Sequence, residues 1–161
     1  MGGIGHWKGS GNQMKWIKAE PGDMYVIGEN LREQDKNEVL FSHGLSPVEA
    51  CLRSYRDSQV IQAIEGDDGD PVGITGLTQN YIWLLGTDKL TATKNHRWQL
   101  CIHGREWVEY CIDRAGGMIE NYVYSENKES IRWLKHLGFN IGEPEPYGVA
   151  EKMFCHFWRK A

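Results

Sequence analysis

Apolar and polar residues alternate, or short apolar runs occur, in seven stretches of the chain, and each stretch predicts a β-strand. The stretches cover residues 15–19, 59–65, 71–78, 81–86, 118–125, 139–142 and 152–159. Tight turns at residues 67–70 and 79–80 separate three consecutive strands, which indicates an antiparallel meander. Residues 143–148, with two prolines, are expected to form the loop of a final hairpin.

Apolar residues at helical spacing predict four helices between these strands. Met24, Ile27 and Leu31 indicate the first, and Ser46 followed by proline is typical of the start of the second. The other two are predicted over about residues 93–115 and over residues 128–137. The resulting order, β α α β β β α β α β β, predicts an α/β sandwich.

The composition places the chain among ordinary globular proteins, with 40% hydrophobic and 25% charged residues. This excludes a collagen, a coiled coil and a disordered tail. Five of the 19 glycines lie between Gly2 and Gly11. We therefore expect residues 1–13 to form a flexible extension and residues 14–161 to form one domain. An exposed Trp7 in such an extension could dock on a protein partner, or have no such role.

The charge is uneven, because residues 20–80 carry 12 acidic and 4 basic side chains within a total charge of −4. A nucleic-acid-binding face is not expected from this balance. No apolar run reaches the length of a membrane span and no signal peptide is evident, so a cytoplasmic protein is expected. The four cysteines are scattered, and His96 and His103 are too far apart on one helix to share a zinc ion, so no metal site is predicted.

A motif in the C-terminal third points to a family. Asn127, Ser130 and Trp133, followed by Leu137-Gly138-Phe139, fall in register with the N-x-x-A-x-x-L-Y-x-K-L-G-F segment of the GNAT N-acetyltransferases. The chain from Met14 onward resembles that family. The resemblance implies a three-layer α/β fold with a mixed, mostly antiparallel sheet of about six or seven strands and about four helices.

A narrower pattern is shared with small phage proteins. Residues 121–124, Asn127, residues 131–135 and Gly138 resemble GNAT-like internal virion or morphogenesis proteins of short-tailed phages. This resemblance implies a phage origin, a location in the host cytoplasm or the virion, and a protein partner from phage or host.

Binding of acetyl-CoA is implied by the family, but its pyrophosphate loop is glycine-rich, and here no glycine follows Gly86 before residue 104. The family usage would place the thioester beside Leu84 and Leu85 and the cofactor near Asn127. A substitute phosphate site is conceivable in which Thr93 caps the long helix and basic side chains supply charge. The basic candidates are Lys94, His96 and Arg97, although they could equally form an ordinary solvated helix start.

The family's proton-donating tyrosine is replaced by Leu134. Tyr124 and His136 are the nearest candidates for protonating the leaving thiolate, and Glu120 is a candidate general base that could equally face solvent. The sequence thus favours a GNAT-like phage protein without the usual pyrophosphate loop, acting through protein contacts. The alternative is an acetyl-CoA-dependent N-acyltransferase that acetylates an amine of a protein or a small molecule.

Overall fold

The computed structural model describes residues 13–161, so the predicted extension, with Trp7, lies outside the described residues except for Gln13. The strands are β1 (Lys15–Lys18), β2 (Val60–Glu65), β3 (Pro71–Thr78), β4 (Tyr81–Gly86), β5 (Met118–Tyr124), β6 (Asn140–Ile141), β7 (Glu145–Tyr147) and β8 (Lys152–Lys160). The helices are α1 (Pro21–Glu29), α2 (Glu33–His43), α3 (Pro47–Asp57), α4 (Lys94–Arg114) and α5 (Lys128–His136), with a 3-10 turn at Asp88–Thr91.

The eight strands of the described residues form one sheet in the order β1-β2-β3-β4-β5-β8-β6, with β7 also paired to β8. Every neighbouring pair is antiparallel except β4 and β5, which are parallel. Within residues 13–161, β4 and β5 pair at one position, Tyr81 with Glu120. The sheet therefore opens into a gap between β4 and β5 beyond that pair.

Helices cover both faces of the sheet, and alternation along β4 assigns its side chains to the two layers. Ile82 packs with Trp107 of α4 and with α5 on one face. Leu85 packs with Met24 of α1 and Cys51 of α3 on the other. These apolar layers supply the burial that stabilises the fold, and the mostly antiparallel three-layer α/β architecture predicted from the sequence is confirmed.

Two elements depart from the sequence-based expectation. Helix α2 was not predicted, and Leu31, expected on the first helix, instead forms an isolated bridge with Thr87 beyond the end of α1. The predicted loop at residues 143–148 contains strand β7. The described residues thus hold five α-helices rather than about four, and eight strands rather than six or seven.

Candidate active site

Strand β4 is hydrogen-bonded to β3 along one edge, which leaves half of its backbone groups facing β5. The Thr87 N–H donates to the Val72 carbonyl at 2.9 Å, and hydrogen-bonded pairs alternate along an antiparallel ladder. The N–H and C=O groups of Ile82, Leu84 and Gly86 therefore point into the gap. A group that enters the gap meets these three residues.

Asn121 closes the gap where the two strands begin to diverge. Its side-chain Nδ2 donates to the Ile82 carbonyl at 2.7 Å, and its Oδ1 accepts from the Tyr122 N–H at 2.8 Å. One side chain thus satisfies backbone groups on both strands that a continued ladder would pair directly. Asn121 holds β4 and β5 apart without leaving these groups unpaired.

A buried ion pair fills the other end of the gap. The Asp35 carboxylate accepts from the Gly86 N–H at 2.8 Å and from the Arg32 guanidinium at 2.9 and 3.0 Å. The Arg32 N–H in turn donates to the Gly86 carbonyl at 2.9 Å. Burial raises the pKa of Asp35, and the positive charge of Arg32 opposes that shift. The first turn of α2 is thereby fixed to the end of β4.

Leu84 lies between Asn121, which closes one end of the gap, and the Arg32–Asp35 ion pair, which fills the other. Its N–H and C=O have no hydrogen-bond partner within residues 13–161. The neighbouring Leu85 is 7% exposed and turns its side chain into the core beneath α1 and α3. Of the two residues predicted to border a thioester, Leu84 is therefore the one whose backbone faces the gap.

Glu38 occupies the β5 side of the same gap. Its Oε1 accepts from the Tyr124 N–H at 3.1 Å and from the Asn127 Nδ2 at 3.0 Å. Within residues 13–161 no donor reaches its Oε2. Burial, reinforced by the negative charge of Asp35, raises the pKa of Glu38 to about 7, against the opposing effect of the two hydrogen bonds. The carboxyl group is thus able to exchange a proton near neutral pH.

A cavity of about 710 Å³ connects these groups and reaches both faces of the sheet. Leu84, Glu38 and Asn121 line it at the gap, Trp133 lines it on the α5 side, and Arg97 lines it near the start of α4. The volume lies in the range of small-molecule sites. The gap is therefore the centre of a cavity that crosses the sheet and is large enough for a small molecule.

The start of α4 differs from the predicted anion site at one residue. Thr93 caps the helix by accepting from the His96 N–H at 3.1 Å. His96 is 5% exposed, with Nδ1 2.7 Å from the Lys89 carbonyl and Nε2 3.1 Å from Asp67 Oδ1. Its ring fastens the β2–β3 turn to the region before α4. His96 is therefore engaged within the fold and does not face the cavity.

The two other basic residues at this helix start remain exposed. Lys94 is the first residue of α4, and Arg97 donates to the Thr91 carbonyl at 2.9 Å while lining the cavity. Lys89, by contrast, is paired with Asp70 at 2.6 Å. Lys94 and Arg97 are the cations here that could meet an anion.

The predicted catalytic groups lie apart from one another. Glu120 accepts from Asn80 Nδ2 at 2.7 Å, and its other oxygen lies 2.9 Å from His156 Nε2. His136, the last residue of α5, accepts a hydrogen bond from Arg105 of α4 at 3.0 Å. His136 lines the cavity from the end of α5, whereas Glu120 does not line it, so the structure does not bring these two residues together.

Tyr124 and Asn127 do meet at the gap. The Tyr124 ring packs against Phe41 and Phe154, and its backbone N–H is the group that contacts Glu38. Asn127 caps α5 through Oδ1, which leaves Nδ2 for Glu38. These two predicted residues thus position Glu38, which the sequence interpretation missed.

The missed residues share one helix face. Arg32, Asp35 and Glu38 are spaced three apart at the start of α2 and within it, so they project to the same side. The acidic residues near the start of that helix, Glu33 and Asp35, are the sequence signal that could have revealed it.

Within the described part of the chain, no group of three or more His, Cys, Asp or Glu side chains could hold a metal ion. None of the helices in residues 13–161 has the length and apolar character of a membrane span.

No protein-family model and no curated protein sequence matches the chain. Its fold, however, matches solved acetyltransferase structures. Spermidine N-acetyltransferase from Vibrio cholerae, in complex with CoA and spermine, matches at a TM-score of 0.59 and 11% identity over 92% of this chain and 95% of that one. Ard1 from Thermoplasma volcanium matches at 0.63 and 17% identity over 92% and 97%. Apo YjaB from Escherichia coli matches at 0.57 and 15% identity over 91% and 95%. At these identities the likeness concerns the fold, and the chain has the GNAT fold.

Proposed function

We propose that this protein is an N-acyltransferase that moves an acyl group from acyl-CoA to an amine. The observation that carries the proposal is the Leu84 backbone, which finds no hydrogen-bond partner among residues 13–161 and faces a gap between two parallel strands that the protein holds open. An unpaired backbone N–H is costly unless a ligand or water satisfies it. A thioester carbonyl at this position would accept that hydrogen bond. The fold shared with an acetyltransferase that binds CoA and spermine supports the proposal.

The residues present fit the two ends of acyl-CoA. Leu84 would hold the thioester carbonyl in the gap. Toward the start of α4, the backbone of the first helical turn and the side chains of Lys94 and Arg97 would face the phosphates, as helix N-termini and cations do. Thr93 caps this turn without a glycine loop. The substitute phosphate site suggested by the sequence is therefore proposed without His96.

The thioester supplies the activated acyl group, and the backbone polarises it. The Leu84 N–H would donate to the carbonyl oxygen as negative charge develops there. One such donor typically contributes a factor of about 10²–10³ in rate. The rigid position of Leu84 in the β3–β4 ladder keeps this donor aimed into the gap.

A proline substitution tests this role. Leu84→Pro removes an N–H that β3 does not use, so the ladder is preserved as it is on an edge strand. We expect acyl transfer to fall at least 100-fold with a small change in melting temperature, whereas Leu84→Ala keeps the amide and most of the rate. The assay is release of free CoA thiol from acetyl-CoA with a set of primary amines.

Calorimetry with acetyl-CoA provides the complementary measurement. An absence of binding heat at millimolar acetyl-CoA with the unaltered protein would overturn the proposed function. Full activity in Leu84→Pro would instead show that the acyl group lies elsewhere.

A phage protein that acts through protein contacts is the second candidate. It is supported by the sequence pattern around Asn127 and by the missing glycine loop. The structural likeness to acetyltransferases favours acyl transfer over this alternative. Phage origin, virion assembly and a protein partner therefore stay predictions, which copurification from an infected host would test.

A further inference from the structure

Glu38 and Leu84 face each other across the gap. If the parallel pairing of Tyr81 with Glu120 continued, Leu84 would be level with Val123, one residue before Tyr124. The Glu38 carboxylate accepts a hydrogen bond from the Tyr124 N–H. Among residues 13–161, the Leu84 N–H is the one unpaired amide of β4 that faces the gap, and Glu38 Oε2 has no donor; these two groups thus lie at nearly the same height between the strands.

An aromatic wall lies beside Glu38 on the same face of β5. Tyr122 is two residues from Tyr124 and therefore projects to the same side. Its ring stacks on Tyr147 of β7 with centroids 4.0 Å apart and planes 9° from parallel. Both rings line the cavity, as does the half-exposed Tyr81. Stacked phenol rings offer an apolar surface to a carbon chain and a negative face to a cation.

The chain fastens this wall to α2. The Val149 and Ala150 N–H groups donate to the Ser42 and Phe41 carbonyls, each at 3.1 Å. Ser42 lies one turn after Glu38 in the same helix. The turn between β7 and β8 thus holds Tyr147 on the side of the cavity where Glu38 lies.

The charged groups near the wall favour a cation over an anion. Burial raises the pKa of the Tyr122 hydroxyl, and the negative charges of Glu145 and Glu120 raise it further. The same negative surroundings that disfavour a phenolate favour an ammonium group.

We propose, resting on the function proposed above, that the acceptor is a primary ammonium on an unbranched carbon stem, which packs on Tyr122 and Tyr147 and gives its proton to Glu38. A lysine side chain and a free alkylamine share this chemistry. Glu38 thereby becomes the general base of the reaction, a role the sequence had offered to Glu120.

The protons and electrons balance without a further reactant. The ammonium gives one proton to Glu38 Oε2, and the freed nitrogen lone pair forms the bond to the acyl carbon. The C–S bond breaks with its electron pair on sulfur. A second proton leaves the nitrogen and ends on the thiolate, which yields the amide and the free thiol, and Glu38 returns its proton to solvent.

Two variants separate the two parts of the site. Glu38→Gln keeps an Oε1 that accepts from Tyr124 and Asn127, and we expect it to lower kcat at least 100-fold. Tyr147→Leu removes the stacked ring, and we expect it to raise KM for the amine about 10-fold with kcat nearly unchanged. Glu126→Gln, an exposed acid outside the cavity, is the matched control. n-Pentylamine and a lysine peptide are tested side by side, so the better substrate identifies the source of the stem.

Binding of the amine without acyl-CoA separates this inference from the proposed function. We expect n-pentylamine to shift the NMR signals of the cavity residues, n-pentanol to leave them unchanged, and the amine's affinity to fall at least 5-fold in Tyr147→Leu. Equal binding of the alcohol, or acyl transfer by Glu38→Gln at the unaltered rate, would overturn the acceptor site while leaving acyl transfer intact. Amine binding without any turnover would support the site and contradict the proposed function.

Discussion

Replacing Glu38 by glutamine should make the protein more stable at alkaline pH, even though it removes the proposed base. Glutamine matches the protonated glutamate in shape, and its Oε1 still accepts from Tyr124 and Asn127. The variant therefore differs from the parent mainly in being unable to carry the charge that the parent acquires as the pH rises.

The magnitude follows from the pKa of Glu38, which burial and the negative charge of Asp35 raise from 4.5 to about 7. Between these two values the folded protein binds a proton that the unfolded chain has lost, so its stability falls as the pH rises through this window. The full difference amounts to about 3 kcal/mol. Arg32 and Asp35 are present in both proteins, so their direct contributions largely cancel in the comparison.

Urea unfolding at pH 4.5 and pH 8 measures this difference. We expect nearly equal midpoints at pH 4.5 and a midpoint about 1.5 M higher for Glu38→Gln at pH 8, given a slope of about 2 kcal/mol/M. Glu126→Gln should show no such pH dependence. A Glu38→Gln protein that is less stable than its parent at pH 8, or a difference that is the same at both pH values, would refute the burial argument.

Two further predictions concern backbone space and the phosphate end of the site. Gly148→Ala should lower the free energy of unfolding by roughly 2–4 kcal/mol in thermal unfolding, because φ is +76° and a Cβ would lie 2.5 Å from the Ser42 Cα. Gly69→Ala, with φ +88° and open space around the Cβ, should cost about 1 kcal/mol. Equal losses in the two variants would contradict this reasoning. The double variant of Lys94 and Arg97 to alanine should weaken acetyl-CoA binding about 10-fold in calorimetry with an unchanged melting temperature, and unchanged binding would show that neither cation meets the phosphates.

The strands could be predicted because their cores are apolar and their turns carry strong signals. The turn at residues 67–70 and the apolar runs of β3 and β4 place the meander correctly, and the pattern from Asn127 to Phe139 indicates the fold. Local patterns of this kind survive in the structure because the same residues that make the pattern are the ones buried in the two apolar layers.

Helix α2 could not be predicted in the same way, because its inner face is polar. Asp35 and Glu38 point toward the sheet, where they accept hydrogen bonds from the Gly86 and Tyr124 N–H groups, which no neighbouring strand pairs, rather than packing on apolar side chains. A helix that packs by replacing strand hydrogen bonds has no apolar stripe for periodicity to detect. The site residues were missed for the same reason that the helix was missed.

His96 was predicted from its residue type and its place in the helix, but the structure surrounds its ring with groups of the fold. A histidine in the first turn of a helix favours an anion site, but Gly66 lets the β2–β3 turn approach to where an added Cβ would lie 3.0 Å from the His96 ring. Asp67 then binds the ring from that turn. Only the approach of two segments about thirty residues apart decides that His96 serves the fold.

Judged from residue types alone, the missing glycine loop favours a protein that is not an enzyme. The atoms that now favour acyl transfer belong to the backbone of Leu84, and any residue except proline at that position would present the same N–H. This amide is available because the neighbouring gap-facing residues of β4 are already hydrogen-bonded: Asn121 donates to the Ile82 carbonyl, and the Gly86 N–H donates to Asp35. Within residues 13–161 the gap is closed at both ends and left open at one amide. This is a feature of hydrogen-bond topology, which residue types alone do not encode. The sequence could therefore indicate the fold that opens the gap, while the case for chemistry within it depends on which backbone groups remain unpaired.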